Sequence, residues 1–196
     1  MRPTLDHALA LVVLGLFGAS TFFTLRVCAF KHSINPGVSS GALTSGQKAV
    51  VTTVIDGDEV VVDVSGQAVR VRILGTSSYD PKLSDRVAAP FGEQAVRALE
   101  ALKGKPVELV FDELKYDSHK RLLSYLHVGD LDVGADMVAK GLVLTYTKFP
   151  FSRMGAYVVA EEAARDSKAG LWADERLAER SRQLRRLWEA QRRQGE

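Results

Sequence analysis

Two runs of β-branched residues between Val51 and Asp63 restrict the local fold more than any other stretch of the chain. They flank the tripeptide Asp56-Gly57-Asp58 and are dominated by valine, isoleucine and threonine, which favour extended strands. Asp-Gly is a strong hairpin signal, because glycine adopts positive φ at low cost. The stretch therefore predicts strand, tight turn and strand.

The same turn gathers three carboxylates, Asp56, Asp58 and Glu59. Carboxylates held on a rigid hairpin can ligate a hard cation such as Ca²⁺. Aspartates are also common in turns that bind nothing, because their side chains hydrogen-bond the local backbone. The turn alone leaves both interpretations open.

Composition excludes several classes of protein. A chain of 196 residues is long enough for one domain with extensions. The net charge of +2 provides no overall field that would favour nucleic acid. Cys28 is the single cysteine, so no internal disulfide framework exists, and the four histidines are too scattered to suggest a zinc site.

The N-terminal segment is apolar. Residues Ala8 to Leu25 carry no charge, and a helix of this length rises about 27 Å, close to the roughly 30 Å hydrocarbon core of a bilayer. This predicts a single-pass transmembrane helix within residues 1–30. A cleaved signal peptide, with small residues at Gly18-Ala19-Ser20, is the competing interpretation. The sequence does not name the membrane: a bacterial inner membrane, an organellar (mitochondrial) inner membrane and the secretory pathway all stay open.

Residues 31–48 are rich in serine, glycine and threonine and predict a flexible linker. A folded domain follows over 49–173. In its third strand Val69, Val71 and Ile73 alternate with Arg70 and Arg72, which predicts one buried and one polar face. Periodicity and turn signals place its strands at Ala49–Ile55, Glu59–Val64, Gln67–Leu74, Pro106–Phe111, Arg121–Val128 and Leu142–Thr147, and its helices at Phe91–Leu102, Val133–Lys140 and Phe151–Lys168.

The tail, residues 174–196, predicts a basic amphipathic helix. Its apolar stripe consists of Leu177, Leu184, Leu187 and Trp188. Such a helix either packs its stripe on the domain or docks on a partner protein, an anionic lipid surface or nucleic acid.

Six segments of the domain, in order and at compatible spacing, resemble the staphylococcal nuclease (thermonuclease) family. They are VIDGDEVVV (54–62), VRILGTSSYD (71–80), PFGEQA (90–95), DSHKRLLSYLHV (117–128), MVAKGLV (137–143) and AARDSKAGLW (163–172). The resemblance covers roughly Ala49 to Ala173. It implies an α+β, mainly β fold: a five-stranded barrel of the OB type with about three helices, here between the predicted transmembrane helix and the C-terminal helix.

The resemblance also implies roles for single residues. The family cleaves phosphodiesters with one Ca²⁺, a carboxylate that handles the attacking water and two arginines on the phosphate. By position, Asp58 matches the first calcium aspartate. Arg72 and Arg121 match the two catalytic arginines. A divalent cation and guanidinium donors both neutralise charge that develops on phosphoryl oxygens.

The segment after the third strand departs from the family's Asp-Thr-Pro-Glu pattern. Ser77 replaces the second calcium aspartate, and Ser78 replaces a threonine that ligates through its backbone carbonyl. Tyr79 replaces the proline, and Asp80 replaces the water-handling glutamate. Losing one of two charged ligands weakens a calcium site, and the shorter Asp80 draws its carboxylate back by roughly 1.5 Å. Glu59 is not expected to compensate, because strand alternation points it away from the face of Asp58.

Arg72 and Arg121 can also be interpreted without a cation: in a metal-free site they would form ion pairs with Asp58 and Asp80. The family's nucleotide-holding residues are few here, since Tyr146 alone remains of the later tyrosines. His119 is either a catalytic base or an exposed loop histidine.

Two functions from different classes follow. The first is a membrane-anchored accessory subunit, a binding or structural module with a weakened or inactive site, with protein partners in a membrane assembly and no cofactor. The second is a calcium-dependent endonuclease acting on DNA or RNA at a membrane. A third, an inactive barrel that binds nucleic acid through Arg72, Arg121 and the basic tail, is disfavoured by the near-neutral charge.

Overall fold

The structure, a computed structural model, describes residues 16–18, 20–24, 26, 43–82 and 84–195. The chain forms two compact units, Met1–Gly37 and Val38–Glu196. In the first unit the described residues are helical, and the Thr21 hydroxyl donates to the Phe17 carbonyl oxygen at 2.8 Å.

Most of the predicted transmembrane segment and most of the predicted linker lie outside the described residues. In the described part of the chain, no helix is both long enough and apolar enough to cross a bilayer.

The second unit contains eight strands and four α-helices within its described residues. The strands are β1 (Gln47–Asp56), β2 (Glu59–Val64), β3 (Gln67–Ile73), β4 (Thr76–Ser77), β5 (Pro106–Val110), β6 (Leu122–Val128), β7 (Leu131–Asp132) and β8 (Leu144–Thr145). The helices are α1 (Ala89–Glu100), α2 (Val133–Ala139), α3 (Met154–Asp166) and α4 (Glu175–Gly195), with a 3₁₀ turn at Gly170–Ala173.

Five of these strands close into a barrel. Strands β1, β2 and β3 form the predicted antiparallel meander, and β5 joins β1 to β6 by antiparallel pairing. Strand β6 then runs parallel to β3, with Val71 opposite Leu122. The prediction of a five-stranded barrel with helices in an α+β fold is confirmed. Because of this parallel closure, Arg121, one residue before β6, lies beside the middle of β3.

The barrel interior holds one hydrophobic core. The alternation predicted for β3 is confirmed, since Val69, Val71 and Ile73 are buried. Leu43 is buried in the same core, and β1 begins at Gln47, so part of the range predicted as linker belongs to the folded domain. Helix α1 closes one side of the core with a face that includes Ala95 and Leu99.

The first hairpin needs its glycine for space. The expectation that Gly57 adopts positive φ is wrong; positive φ occurs instead in the next turn, at Ser65 (54°) and Gly66 (86°). A Cβ on Gly57 would lie 2.5 Å from the Cβ of Ala95 and 2.7 Å from the Cβ of Ser78. The turn is thus pressed against α1 and against the segment that departs from the family pattern.

The C-terminal helix α4 packs on the domain, the first of the two alternatives for the tail. Leu177 and Ala178 are buried, and Leu184 and Trp188 pack against the same second hydrophobic cluster. Leu187 is 51% exposed and does not belong to the buried stripe, which corrects the predicted apolar face. The cluster also contains Tyr79, Leu144 and Trp172, so α4 shares it with the segment after β4, with β8 and with the 3₁₀ turn.

Candidate functional site

Asp58 occupies the first hairpin turn and is only 6% exposed. Its Oδ2 accepts a hydrogen bond from the Ser78 backbone N–H at 2.6 Å and lies 3.0 Å from Nη2 of Arg72. The backbone N–H of Asp58 donates to Oδ1 of Asp56 at 2.9 Å. These contacts tie the turn to the Ser77–Ser78 segment.

Arg72 stands near the end of β3 with its guanidinium directed into the protein. Nη2 donates to the Thr76 carbonyl oxygen at 2.7 Å, and Nη1 donates to the carbonyl oxygens of Asp58 at 3.1 Å and Ile73 at 3.2 Å. With the Asp58 carboxylate as a further partner, the guanidinium is engaged by groups of the chain itself. Such a set of partners satisfies a buried arginine without a ligand.

Arg121 is held by two other carboxylates. Its Nε donates to Oδ2 of Asp117 at 2.7 Å, and its Nη1 donates to Oε2 of Glu59 at 3.0 Å. Glu59 is 1% exposed, and its other oxygen contacts Nε of Arg70. Although burial by itself raises the pKa of Asp117, hydrogen bonds from Arg121 hold that pKa below its usual range.

The sequence analysis names Glu59 and Arg70 but does not predict the ion pairs of Glu59 with Arg70 and Arg121, and it does not single out Asp117. The expectation that Glu59 faces away from the site is wrong, because it treats Asp58 as a strand residue, whereas the strand begins one residue later. Asp117 lies four residues before Arg121 in a loop, and only the fold of that loop brings the two side chains together. The sequence did contain one signal for these contacts: Arg70 and Arg72 form one face of β3, and arginines next to a core require anionic partners nearby.

The segment Ser77–Asp80, which departs from the family's pattern, lies at the site, but the Asp80 carboxylate does not contact Arg72 or Arg121. Oδ1 of Asp80 accepts the Lys82 backbone N–H at 2.7 Å. Within the described residues Asp80 forms no ion pair with Arg72 or Arg121, so the predicted pairing without a cation is found for Arg72 with Asp58 but not for Asp80. Ser77 lies in the short strand β4, opposite Leu144 of β8.

A family model described as "Staphylococcal nuclease homologue" matches residues 50–174. The chain belongs to this family. The match begins in β1 and ends one residue before α4, so it covers all of the barrel except the first three residues of β1, and all residues of the site described above.

Individual relatives agree with this assignment to the SNase family. The thermonuclease of Staphylococcus intermedius is 29% identical over 108 residues, 55% of this chain and 64% of the relative. The thermonuclease of Staphylococcus hyicus is 23% identical over 148 residues, 74% of this chain and 88% of the relative. Endonuclease YncB of Bacillus subtilis (strain 168) is 28% identical over 123 residues, 61% of this chain and 58% of the relative. The chain thus spans less than two thirds of the first of these relatives.

The site in this SNase-family chain does not fit a calcium ion as it stands. In the part of the chain that the structure describes, no three His, Cys, Asp or Glu side chains are grouped so that they could hold a metal. Oδ2 of Asp58 already faces an amide N–H and a guanidinium, and Ser77 offers a neutral hydroxyl where a second carboxylate would be needed. Calcium prefers several oxygen ligands, including charged ones.

Tyr146 is held next to the site, whereas His119 is exposed on a loop. The Tyr146 N–H donates to the Gly75 carbonyl oxygen at 2.8 Å, which fixes it next to β4. Burial raises the pKa of its phenol, and the positive charges of Arg72 and Arg121 oppose that rise. The His119 side chain is 76% exposed on its loop, which supports the exposed-loop interpretation.

Burial raises the pKa of Asp58 to about 7, and the nearby carboxylate of Asp56 adds to the rise, although Arg72 opposes it. Because this pKa is higher in the folded than in the unfolded chain, the proton stabilises the folded state fully below about pH 4. That stability is lost as the pH rises through about 7. Glu161, whose pKa burial also raises, acts in the same direction.

We therefore expect the free energy of unfolding to fall between pH 5 and 8, by at most about 1.4 kcal/mol per pH unit for one proton. Asp58→Asn keeps the side-chain size and should flatten this slope in urea titrations at pH 5, 6, 7 and 8. The exposed Asp130→Asn is the control and should leave the slope as it is in the parent chain. An unchanged slope in Asp58→Asn would contradict the assignment.

Proposed function

We propose that this chain is a membrane-tethered SNase-like protein whose site is weakened or inactive in hydrolysis, and that its barrel serves as a binding or structural module in a membrane protein assembly. The observation that carries the proposal is the pairing of both arginines with carboxylates of the chain. Arg72 pairs with Asp58, and Arg121 pairs with Glu59 and Asp117. A phosphate would have to displace these partners before it could accept hydrogen bonds from either guanidinium.

Two features of the sequence support the module. Ser77 is neutral where the calcium ion would need a charged ligand, and Asp80 is one methylene shorter than the glutamate that would handle the water. Two requirements of hydrolysis are therefore weakened. The uncharged stretch Ala8–Leu25 is long enough for a bilayer and supports the tether.

A calcium-dependent nuclease is the second candidate, favoured by a specific observation. Asp58, Arg72 and Arg121, the three residues that carry the family's roles unchanged, meet around the first hairpin and the end of β3. Several relatives are named thermonuclease or endonuclease. With small rearrangements of Arg72, a phosphodiester would then be the substrate.

One assay separates the two candidates. The second unit, residues 38–196, is incubated with single-stranded DNA and RNA, with Ca²⁺ or with a chelator. We expect no calcium-dependent cleavage and no calcium-induced rise in the thermal midpoint. Cleavage that requires calcium and disappears in Arg72→Ala would refute the module and establish the nuclease.

The tether has its own test. Full-length protein should stay in the membrane pellet after alkaline carbonate extraction. Release into the supernatant would refute a transmembrane anchor.

A further inference from the structure

Helix α4 is outside the region that the family model matches, yet it contacts β8 and Tyr79, which both adjoin the site. We propose that Arg185 of α4 is a positioning residue, which sets the geometry of the Arg72–Asp58 pair through the short sheet of β4 and β8. The inference goes beyond the proposed function, because it holds whether the site cleaves, binds or does neither.

The first step is the contact of Arg185 with α3 and β8. Its Nε lies 2.8 Å from Oε1 of Glu161, and its Nη1 donates to the Thr145 carbonyl oxygen at 2.9 Å. The side chain is 12% exposed, and that of Glu161 is 5% exposed. The planar fork of arginine presents Nε to the carboxylate and Nη1 to the carbonyl at a fixed spacing, and the single ammonium nitrogen of lysine does not reproduce this geometry.

The second step is the double hold on Thr145. Its carbonyl oxygen accepts a hydrogen bond from Arg185, and its backbone N–H donates to Oε2 of Glu161 at 2.5 Å. Both backbone polar groups of this residue are therefore bound from outside the two-stranded sheet. Because these groups are buried, releasing either partner leaves an unsatisfied polar atom, which drives the strand to shift.

The third step leads from β8 into the site. Thr145 pairs with Thr76 and Leu144 pairs with Ser77 across the antiparallel strands. The Thr76 carbonyl oxygen accepts from Nη2 of Arg72, and the next residue after β4, Ser78, donates its N–H to Asp58. The position of β8 thus decides where the partners of Arg72 and Asp58 lie.

A second contact from α4 holds the far side of the same segment. The Ser181 hydroxyl lies 3.0 Å from the Tyr79 hydroxyl, and the Arg180 guanidinium lies 5.3 Å from the centre of the Tyr79 ring. Nη1 of Arg180 also pairs with Oδ2 of Asp85 at 2.7 Å. The segment from Thr76 to Tyr79 is consequently held by α4 directly at Tyr79 and through β8 at Thr76.

The test is amide hydrogen exchange on the full-length chain in detergent, measured without ligand. In Arg185→Met we expect the Ser78 amide to exchange at least tenfold faster than in the parent, with the amides of β2 unchanged within twofold. Arg185→Lys should recover part of the protection, because it restores the charge but not the fork. Arg186→Met is the matched control on the exposed side of the same helix and should change neither set of amides.

Two results would overturn the inference. If the Ser78 and β2 amides accelerate by the same factor, Arg185 contributes only to general stability. If the Ser78 amide keeps its parental rate in Arg185→Met, the β8–β4 connection does not position the site.

Discussion

Ser77→Asp combined with Asp80→Glu is expected to convert this domain into a calcium-dependent nuclease, with cleavage of single-stranded DNA raised by about a hundredfold or more over the parent. The first change supplies a second charged oxygen ligand beside Asp58, and the second extends the carboxylate of residue 80 by one methylene. A cation bound between Asp58 and residue 77 would also draw the Asp58 carboxylate away from Arg72 and free that guanidinium for phosphate.

The measurement is calcium titration by calorimetry together with initial cleavage rates in calcium and in chelator. Ser77→Asn with Asp80→Gln is the control, because it has nearly the same shape and adds no charge; it should gain neither binding nor cleavage. If the charged double variant binds calcium but does not cleave, the arginines rather than the ligands limit the site. If it does not bind calcium, the explanation based on lost ligands is wrong.

Gly92→Ala is expected to lower the free energy of unfolding by about 2–3 kcal/mol. Helix α1 passes so close to the departed segment that a Cβ at this position would lie 2.0 Å from the Tyr79 carbonyl oxygen and 3.1 Å from Cδ of Pro81. The neighbour is backbone, which cannot rotate away, so the helix and the segment must separate. This steric cost exceeds the gain of about 1 kcal/mol that alanine usually brings inside a helix.

Gly155→Ala in α3 is the matched control, since a Cβ there meets nothing within 4 Å. Thermal melts of the two variants should move in opposite directions: Gly92→Ala down by roughly 5–10 °C, and Gly155→Ala unchanged or slightly up. Equal shifts would show that the approach of α1 to Tyr79 relaxes without cost.

Much of the fold could be predicted because it rests on local patterns. The alternation over Gln67–Ile73 and the β-branched runs around Asp56-Gly57-Asp58 each predict their strands from nearest neighbours alone. The outcome for Gly57 shows the limit of such patterns. The pattern predicts a glycine in the turn, but the physical reason for it is the close approach of Ala95 and Ser78, which are distant in sequence.

The site was predictable only as a set of positions. Asp58, Arg72, Ser77, Ser78, Asp80 and Arg121 could be named from their order in the chain. The pairing of Arg72 with Asp58 could also be named, but the partners of Arg121 could not, because an ion pair depends on where loops and helices finally lie. Glu59 with Arg121, and Asp117 with Arg121, are contacts of this kind.

The sequence by itself determined the five barrel strands, the helices, the family and the loss of a calcium carboxylate at Ser77, since each depends on residue type and spacing along the chain; it did not predict the short strands β4 and β7. Only the tertiary structure decided that both arginines are neutralised from within, and that α4 belongs to the domain and supports the site through Arg185. The physical reason is that a buried charge without a partner carries a large desolvation cost, so buried charges occur in pairs. Which groups form a pair depends on the closure of the barrel and the packing of the last helix.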